Sequence, residues 1–163
     1  MDMNEDTVEL FLNNPVFTPA LETVLVAALE KMEGAENREL FIKVGLQAST
    51  PDMAMVITEM AVMTAGYHKN VAAIKNFVPL ARVLMAEKKD NTAVIILPTD
   101  HIIWSKRVAS IGEDLVRQEV SGKHAGYEIW TLGTFSNMAR ANFKELGWKV
   151  HEKAGRELIP KAQ

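Results

Sequence analysis

Apolar positions in the first half of the chain recur at threes and fours, the period of a helix buried on one face. Thr18-Pro19 is a start signal, a side-chain cap followed by proline at the first helical position. Leu21, Val24, Leu25, Ala28, Leu29 and Met32 follow at helical spacing, and Gly34 closes the run. Asn37 is positioned to cap a second helix with Leu40, Phe41, Val44 and Ala48 on its apolar face. Thr50-Pro51 repeats the start signal. The spacing after it predicts one long helix, with Met53, Val56, Met60, Met63, Tyr67, Val71, Ile74 and Val78 in a seam suited to packing against other helices. A short helix over Thr7–Leu12, closed by Asn13-Asn14-Pro15, precedes them.

The pattern changes after Pro79. Leu80–Glu87 and Thr92–Leu97 are aliphatic runs joined by the turn signal Lys88-Lys89-Asp90-Asn91, which reads as a β-hairpin. A helix over Leu80–Lys88 has the same short periodicity and stays open as the alternative. Trp104, Val108, Ile111 and Leu115 mark an amphipathic helix with Asp100 as its expected N-cap. Ser121-Gly122-Lys123 is a loop, Tyr127–Leu132 a strand, and Gly133–Asn137 a turn into a helix that Gly147 stops. Trp148–His151 is a final short strand. The predicted fold is α+β or α/β: an N-terminal helical bundle (1–78) packed on a small three- to four-stranded sheet with flanking helices, in the order β-β-α-β-α-β (79–152). Residues 153–163 are expected as a peripheral tail, and the whole is expected to fold as one unit.

Composition changes this picture little. A chain of 163 residues with 48% hydrophobic and 24% charged residues has the make-up of an ordinary globular protein. It has no cysteine, which excludes disulfides, thiolate metal sites and thiol nucleophiles. The acidic start lacks the basic-then-apolar order of a secretion signal, which points to the cytoplasm, with the periplasm open to a processed or partial chain. The most apolar stretch, Met53–Gly66, is shorter than the ~20 residues of a membrane span and contains Glu59. Charge is divided: residues 1–78 carry five Lys/Arg against eleven Asp/Glu, and residues 79–163 carry thirteen against ten. The net charge of −3, without a basic stripe, argues against nucleic acid.

Recognised chemical motifs are missing. Ser121-Gly122-Lys123-His124 has Arg117 where a phosphate-binding loop needs its first glycine, and histidine where it needs Ser or Thr. No serine sits in G-x-S-x-G. His68, His101, His124 and His151 are scattered without metal-ligand spacing, so no metal or cofactor is expected. His68 reads as a packed, hydrogen-bonded residue, and Met53, Met55, Met60 and Met63 as helix-packing residues.

The residues best placed for chemistry follow two predicted strands, because ligands of parallel sheets bind beyond the strand C-termini. Asp100 and His101 follow the first, with Asp100 or His101 as the candidate base. Thr134, Ser136 and Asn137 follow the second, with Arg140 one turn on, as candidate anion contacts. The capping roles of Asp100 and Ser136 or Asn137 account for the same residues without any ligand. Two functions are therefore weighed. The first is a non-catalytic binding or assembly domain, its helical half facing a protein partner or a second copy. The alternative is a small-ligand-binding protein or enzyme that takes a phosphate- or carboxylate-bearing molecule at the strand ends. Neither reading says whether the chain is an enzyme.

Overall fold

The computed structural model describes residues 3–80, 83–117 and 124–159. Helices α1 (Glu5–Leu12), α2 (Pro19–Lys31), α3 (Leu40–Gly45) and α4 (Pro51–Asn70) come first. The side chains of Asn4, Thr18 and Thr50 cap α1, α2 and α4, each accepting a backbone N–H of the first turn. The strands β1 (Ile74–Leu80), β2 (Val83–Lys88), β3 (Thr92–Leu97), β5 (Gly126–Thr131) and β7 (Trp148–His151) form one sheet in the order β1-β2-β3-β5-β7. The first three are an antiparallel meander, and β3, β5 and β7 are parallel. Helix α5 (Lys106–Arg117) crosses from β3 to β5 and α6 (Asn137–Glu145) from β5 to β7. The short strands β4 (His101–Ile102) and β6 (Thr134–Phe135) pair beyond the C-terminal ends of β3 and β5, and α7 (Gly155–Leu158) follows β7.

The sheet separates two cores. Val94, Ile96 and Trp130 face the helices α1–α4 together with Leu25, Met60 and Leu158. Ala93, Ile95 and Ile129 face the other side with Leu115, Phe143 and Trp148. This is why Val94-Ile95-Ile96 reads as a continuous apolar run: the strand is buried on both faces.

The helical bundle, the mixed α/β class and the β7 boundaries agree with the sequence reading, but the sheet has five strands rather than three or four. The extra strand is β1, whose Ile74 and Val78 were expected in the long helix. That helix ends at Asn70, where the His68 imidazole accepts the Ile74 N–H through Nδ1 at 3.1 Å. Ile74 and Val78 continue the four-residue spacing by coincidence. A register shift between Ile74 and Asn76 lets Ile74 and Phe77 reach the same core although three residues apart. Pro79 is tolerated because β1 is an edge strand.

Smaller differences have local causes. Asn37 does not cap α3 with its side chain; it takes φ 59° and donates through Nδ2 to Asn76 Oδ1 at 2.7 Å. Asp100 does not cap α5, because β4 intervenes and Ser105 Oγ accepts the Val108 N–H instead. The Ser121–Lys123 loop lies outside the described residues. Residues 153–159 are peripheral only in part: Lys153, Arg156, Glu157 and Ile159 are exposed, but Ala154 is buried and Leu158 is fully buried in the core that α4 shares.

Gly66 explains how α7 fits. A Cβ at this position would sit 1.9 Å from the Leu158 carbonyl oxygen and 2.5 Å from its carbon. Alanine normally favours a helix over glycine by about 1 kcal/mol. Here it must push α7 away, so Gly66→Ala is expected to destabilise the fold by about 2–4 kcal/mol in urea unfolding. An unchanged or raised midpoint would refute the close approach.

Candidate functional site

The parallel pairing of β3 and β5 brings the two predicted loops to one edge. Asp100 and Thr134 are linked by the Thr134 N–H to the Asp100 carbonyl at 3.0 Å, and His101 Nδ1 lies 2.8 Å from Thr134 Oγ1. Gly133 is required here, since a Cβ on it would lie 1.8 Å from the Asp100 oxygen. The buried Thr131 hydroxyl donates to the Thr99 carbonyl at 2.6 Å and closes the base of the edge. Asp100 and His101 are exposed.

Ser136, Asn137 and Arg140 form a second group at the start of α6. Ser136 Oγ accepts the Ala139 N–H as the N-cap. The Arg140 guanidinium donates to Glu152 Oε2 at 2.9 Å and Oε1 at 2.8 Å, and also to Asn137 Oδ1 and the Phe135 carbonyl. The Phe135 N–H donates to Glu152 Oε1 at 2.7 Å. Glu152, which the sequence analysis did not single out, thus puts a carboxylate on the guanidinium and on the Phe135 amide beside the expected anion contacts. The only local signal for it was an acid directly after the β7 strand. The Arg140 hydrogen bonds, opposed by partial burial and aided by the Phe135 amide, hold the Glu152 carboxyl at about 2, below its ordinary 4.5.

A third polar group, centred on Glu128, lies under α4. Glu128, on β5, points into the helical core and is buried. Its Oε2 accepts from the Tyr67 hydroxyl and from Trp130 Nε1, both at 3.0 Å, and its Oε1 from Lys88 Nζ at 3.1 Å. Lys88 also pairs with Asp90 at 3.3 Å. Burial works to raise the Glu128 carboxyl, but the Trp130, Lys88 and Tyr67 donors outweigh it and hold it below its ordinary value. Burial and the Glu128 charge push the Tyr67 phenol up. The His151 ring stacks on Trp130 with centroids 3.7 Å apart, and burial lowers its pKa. Every oxygen of Glu128 is therefore committed to the fold.

Two grooves flank the N-terminal half of α4. One, of about 730 Å³, lies toward α3 and is lined by Leu40, Val44, Met53, Val56 and Met60, with Lys43, Asp52 and Arg107 as its charged lining residues. The other, of about 460 Å³, lies between α2, α4 and the ends of β3 and β5. Leu21, Val24, Met55, Val62, Met63 and Leu132 form its walls, and Asp100 joins Glu59 as its charged lining. Of the predicted site residues, Asp100 alone lines either groove. The described residues contain no group of three or more His, Asp or Glu arranged to hold a metal, and no described helix is long and apolar enough to cross a membrane.

The molecule these elements define is a mixed α/β protein with an apolar grooved face on its helical layer. The chain matches no known protein family, and no curated protein or solved structure is significantly similar to it.

The groups around Glu128 and Glu152 each yield a test. Lys88→Met leaves a buried Glu128 carboxylate without its cation and is expected to cost about 2 kcal/mol in chemical denaturation, of which the added Glu128→Gln recovers at least half. Additive losses would mean that the pair is not coupled. A carboxyl whose folded pKa is depressed stabilises above its unfolded pKa, and that stability is lost as pH falls through the folded value. Glu152→Gln should therefore lower the melting temperature by about 3 °C at pH 7. The gap from the unmodified protein should close as pH falls from 4.5 toward 2. A gap independent of pH would contradict the pairing.

Proposed function

We propose that this chain is a binding module that docks a protein partner on the apolar face formed by α2 and the N-terminal half of α4. One observation carries the reading. Of the eleven large hydrophobic residues that are exposed among the described residues, five line the two grooves beside α4: Met53 and Val56 in one, Val24, Met55 and Ile159 in the other. Scattered apolar side chains at a surface need no explanation, but a contiguous set around concave surfaces is the mark of a recognition site. Methionine suits such a surface, because its flexible, polarizable side chain repacks against different shapes.

The second reading, a small phosphate- or carboxylate-bearing ligand at the strand ends, is supported by position: Pro98–Asp100 and Leu132 line the smaller groove at the ends of β3 and β5. Its chemistry fits less well. The groove's charged lining residues are acidic, and Arg140 is already held by Glu152.

A photoreactive residue placed at Met55, with Lys144 on α6 as the control position, tests the docking face in cells of the native host. The expected result is one defined cross-linked protein at Met55, absent at Lys144 and lost when Val24→Asp is added. Val24 is 44% exposed, so the added charge reaches water and leaves the core intact. Equal labelling at both positions, or none at Met55, would reject the docking face.

A further inference from the structure

Resting on the docking face just described, we infer that the smaller groove takes a basic amphipathic helix of a partner protein. The groove's walls are aliphatic and thioether: Leu21 and Val24 from α2, Met55, Val62 and Met63 from α4, and Leu132 from the end of β5. Its two charged lining residues, Glu59 and Asp100, are both carboxylates and both exposed. They stand on separate elements, Glu59 on α4 and Asp100 after β3, so two parts of the chain contribute negative charge to the same apolar groove. Neither carboxylate is engaged in an ion pair with a described residue. The helical layer around them belongs to the acidic part of the chain, with five Lys/Arg against eleven Asp/Glu over residues 1–78. An occupant must therefore present apolar groups to the floor and positive charge to the rim.

The dimensions favour a helix. The α4 wall runs from Met55 to Met63, about 12 Å of helix axis and a little over two turns, which matches the reach of a short partner helix. Its contributing positions, Met55, Thr58, Glu59, Val62 and Met63, are spaced as i, i+3, i+4, i+7 and i+8, one face of the helix against which another helix packs. Leu21 and Val24 supply an i, i+3 pair on the opposite wall. Helix-in-groove recognition uses such anchors, with the polar face of the incoming helix left at the rim. The other groove differs in charge: its lining holds Lys43 and Arg107 beside Asp52, so it has no preference for a basic partner.

The probe is a fluorescein-labelled peptide of fourteen residues, about four helical turns, with leucine at helical spacing and lysine elsewhere. Its counterpart carries glutamate in place of every lysine, and a scrambled lysine peptide controls for simple charge attraction. Anisotropy titration should show the lysine peptide binding at least about tenfold tighter than either control, a difference of 1.4 kcal/mol. Methyl resonances of Met55 and Met63 should shift with saturation. The variant Glu59→Lys with Asp100→Lys alters exposed side chains only, and it should lose this preference and favour the glutamate peptide. Glu30→Lys with Glu33→Lys, the same change of charge at exposed positions near the end of α2 and in the turn after it, should leave the preference in place. Equal affinity for the lysine and scrambled peptides would overturn the inference, as would a preference untouched by reversal at Glu59 and Asp100. Defined cross-linking at Met55 together with either of these results sinks the basic helix while the docking face stands. Failure of cross-linking at Met55 sinks both.

Discussion

Glu128 is a carboxylate set into an otherwise apolar interface between α4 and the sheet, and the position of α4 depends on it. A buried charge is tolerated only when its hydrogen-bonding capacity is filled. Tyr67 from α4, Trp130 from its own strand and Lys88 from β2 fill it. The three donors come from different elements, so the carboxylate fixes their relative placement in a way that apolar packing, which is nondirectional, does not. The ring of His151 on β7 lies flat on Trp130 and extends the arrangement to the sheet edge. The C-terminal half of α4 is thereby fastened at Tyr67, and the close approach of the adjacent Gly66 to Leu158 packs it against α7 as well.

That fastening decides which surface is left open. From Ile57 to Tyr67 almost every residue of α4 is buried, while Met53, Met55 and Val56 in its first two turns are exposed. A helix of twenty residues is about 30 Å long. Once its C-terminal end is held over the base of β5, its N-terminal turns lie beyond the ends of β3 and β5, beside Pro98–Asp100 and Leu132. The grooves on either side of those turns follow from the length of α4 and the position of its anchor.

Much of this was legible in the sequence. Thr18-Pro19 and Thr50-Pro51 act as the caps their residue types imply, and the apolar run Val94–Leu97 and the β7 strand lie where read. The β1 strand was hidden because Val71, Ile74 and Val78 preserve helical spacing and no glycine or proline marks the helix end. What ends the helix is a tertiary pairing, β1 with β2, helped by the His68 hydrogen bond. The predicted seam put Met53 and Val56 against other helices, and both are exposed, because periodicity identifies an apolar face and not what covers it. The strand-end loops were correctly placed on one edge by the alternation of strands and helices. The engagement of Arg140 by Glu152 was not visible, because it joins residues twelve apart, one on α6 and one just after β7, and the periodicity of neither element reports a contact between them. Glu128 was equally hidden: a single acid within Tyr127–Leu132 reads as a solvent-facing position of an alternating strand.

The exposed turns of α4 are stabilised by means that need no covering layer. Thr50 Oγ1 accepts the Met53 N–H at 3.2 Å, Pro51 starts the helix with its φ already set, and Asp52 places negative charge at the positive end of the helix dipole. The buried Thr58 hydroxyl donates to the Ala54 carbonyl, keeping its polar group satisfied where the helix enters the core. An apolar surface carried on a helix that is locally capped at one end and anchored in the core at the other loses little conformational freedom when covered. Association is opposed mainly by such losses, so a rigid face gives more affinity for the same contacts than a loop would. The same anchor that makes Glu128 unsuitable as a reactive group makes the first turns of α4 a preorganised surface, and the polar hub and the apolar grooves are two consequences of one placement of one helix.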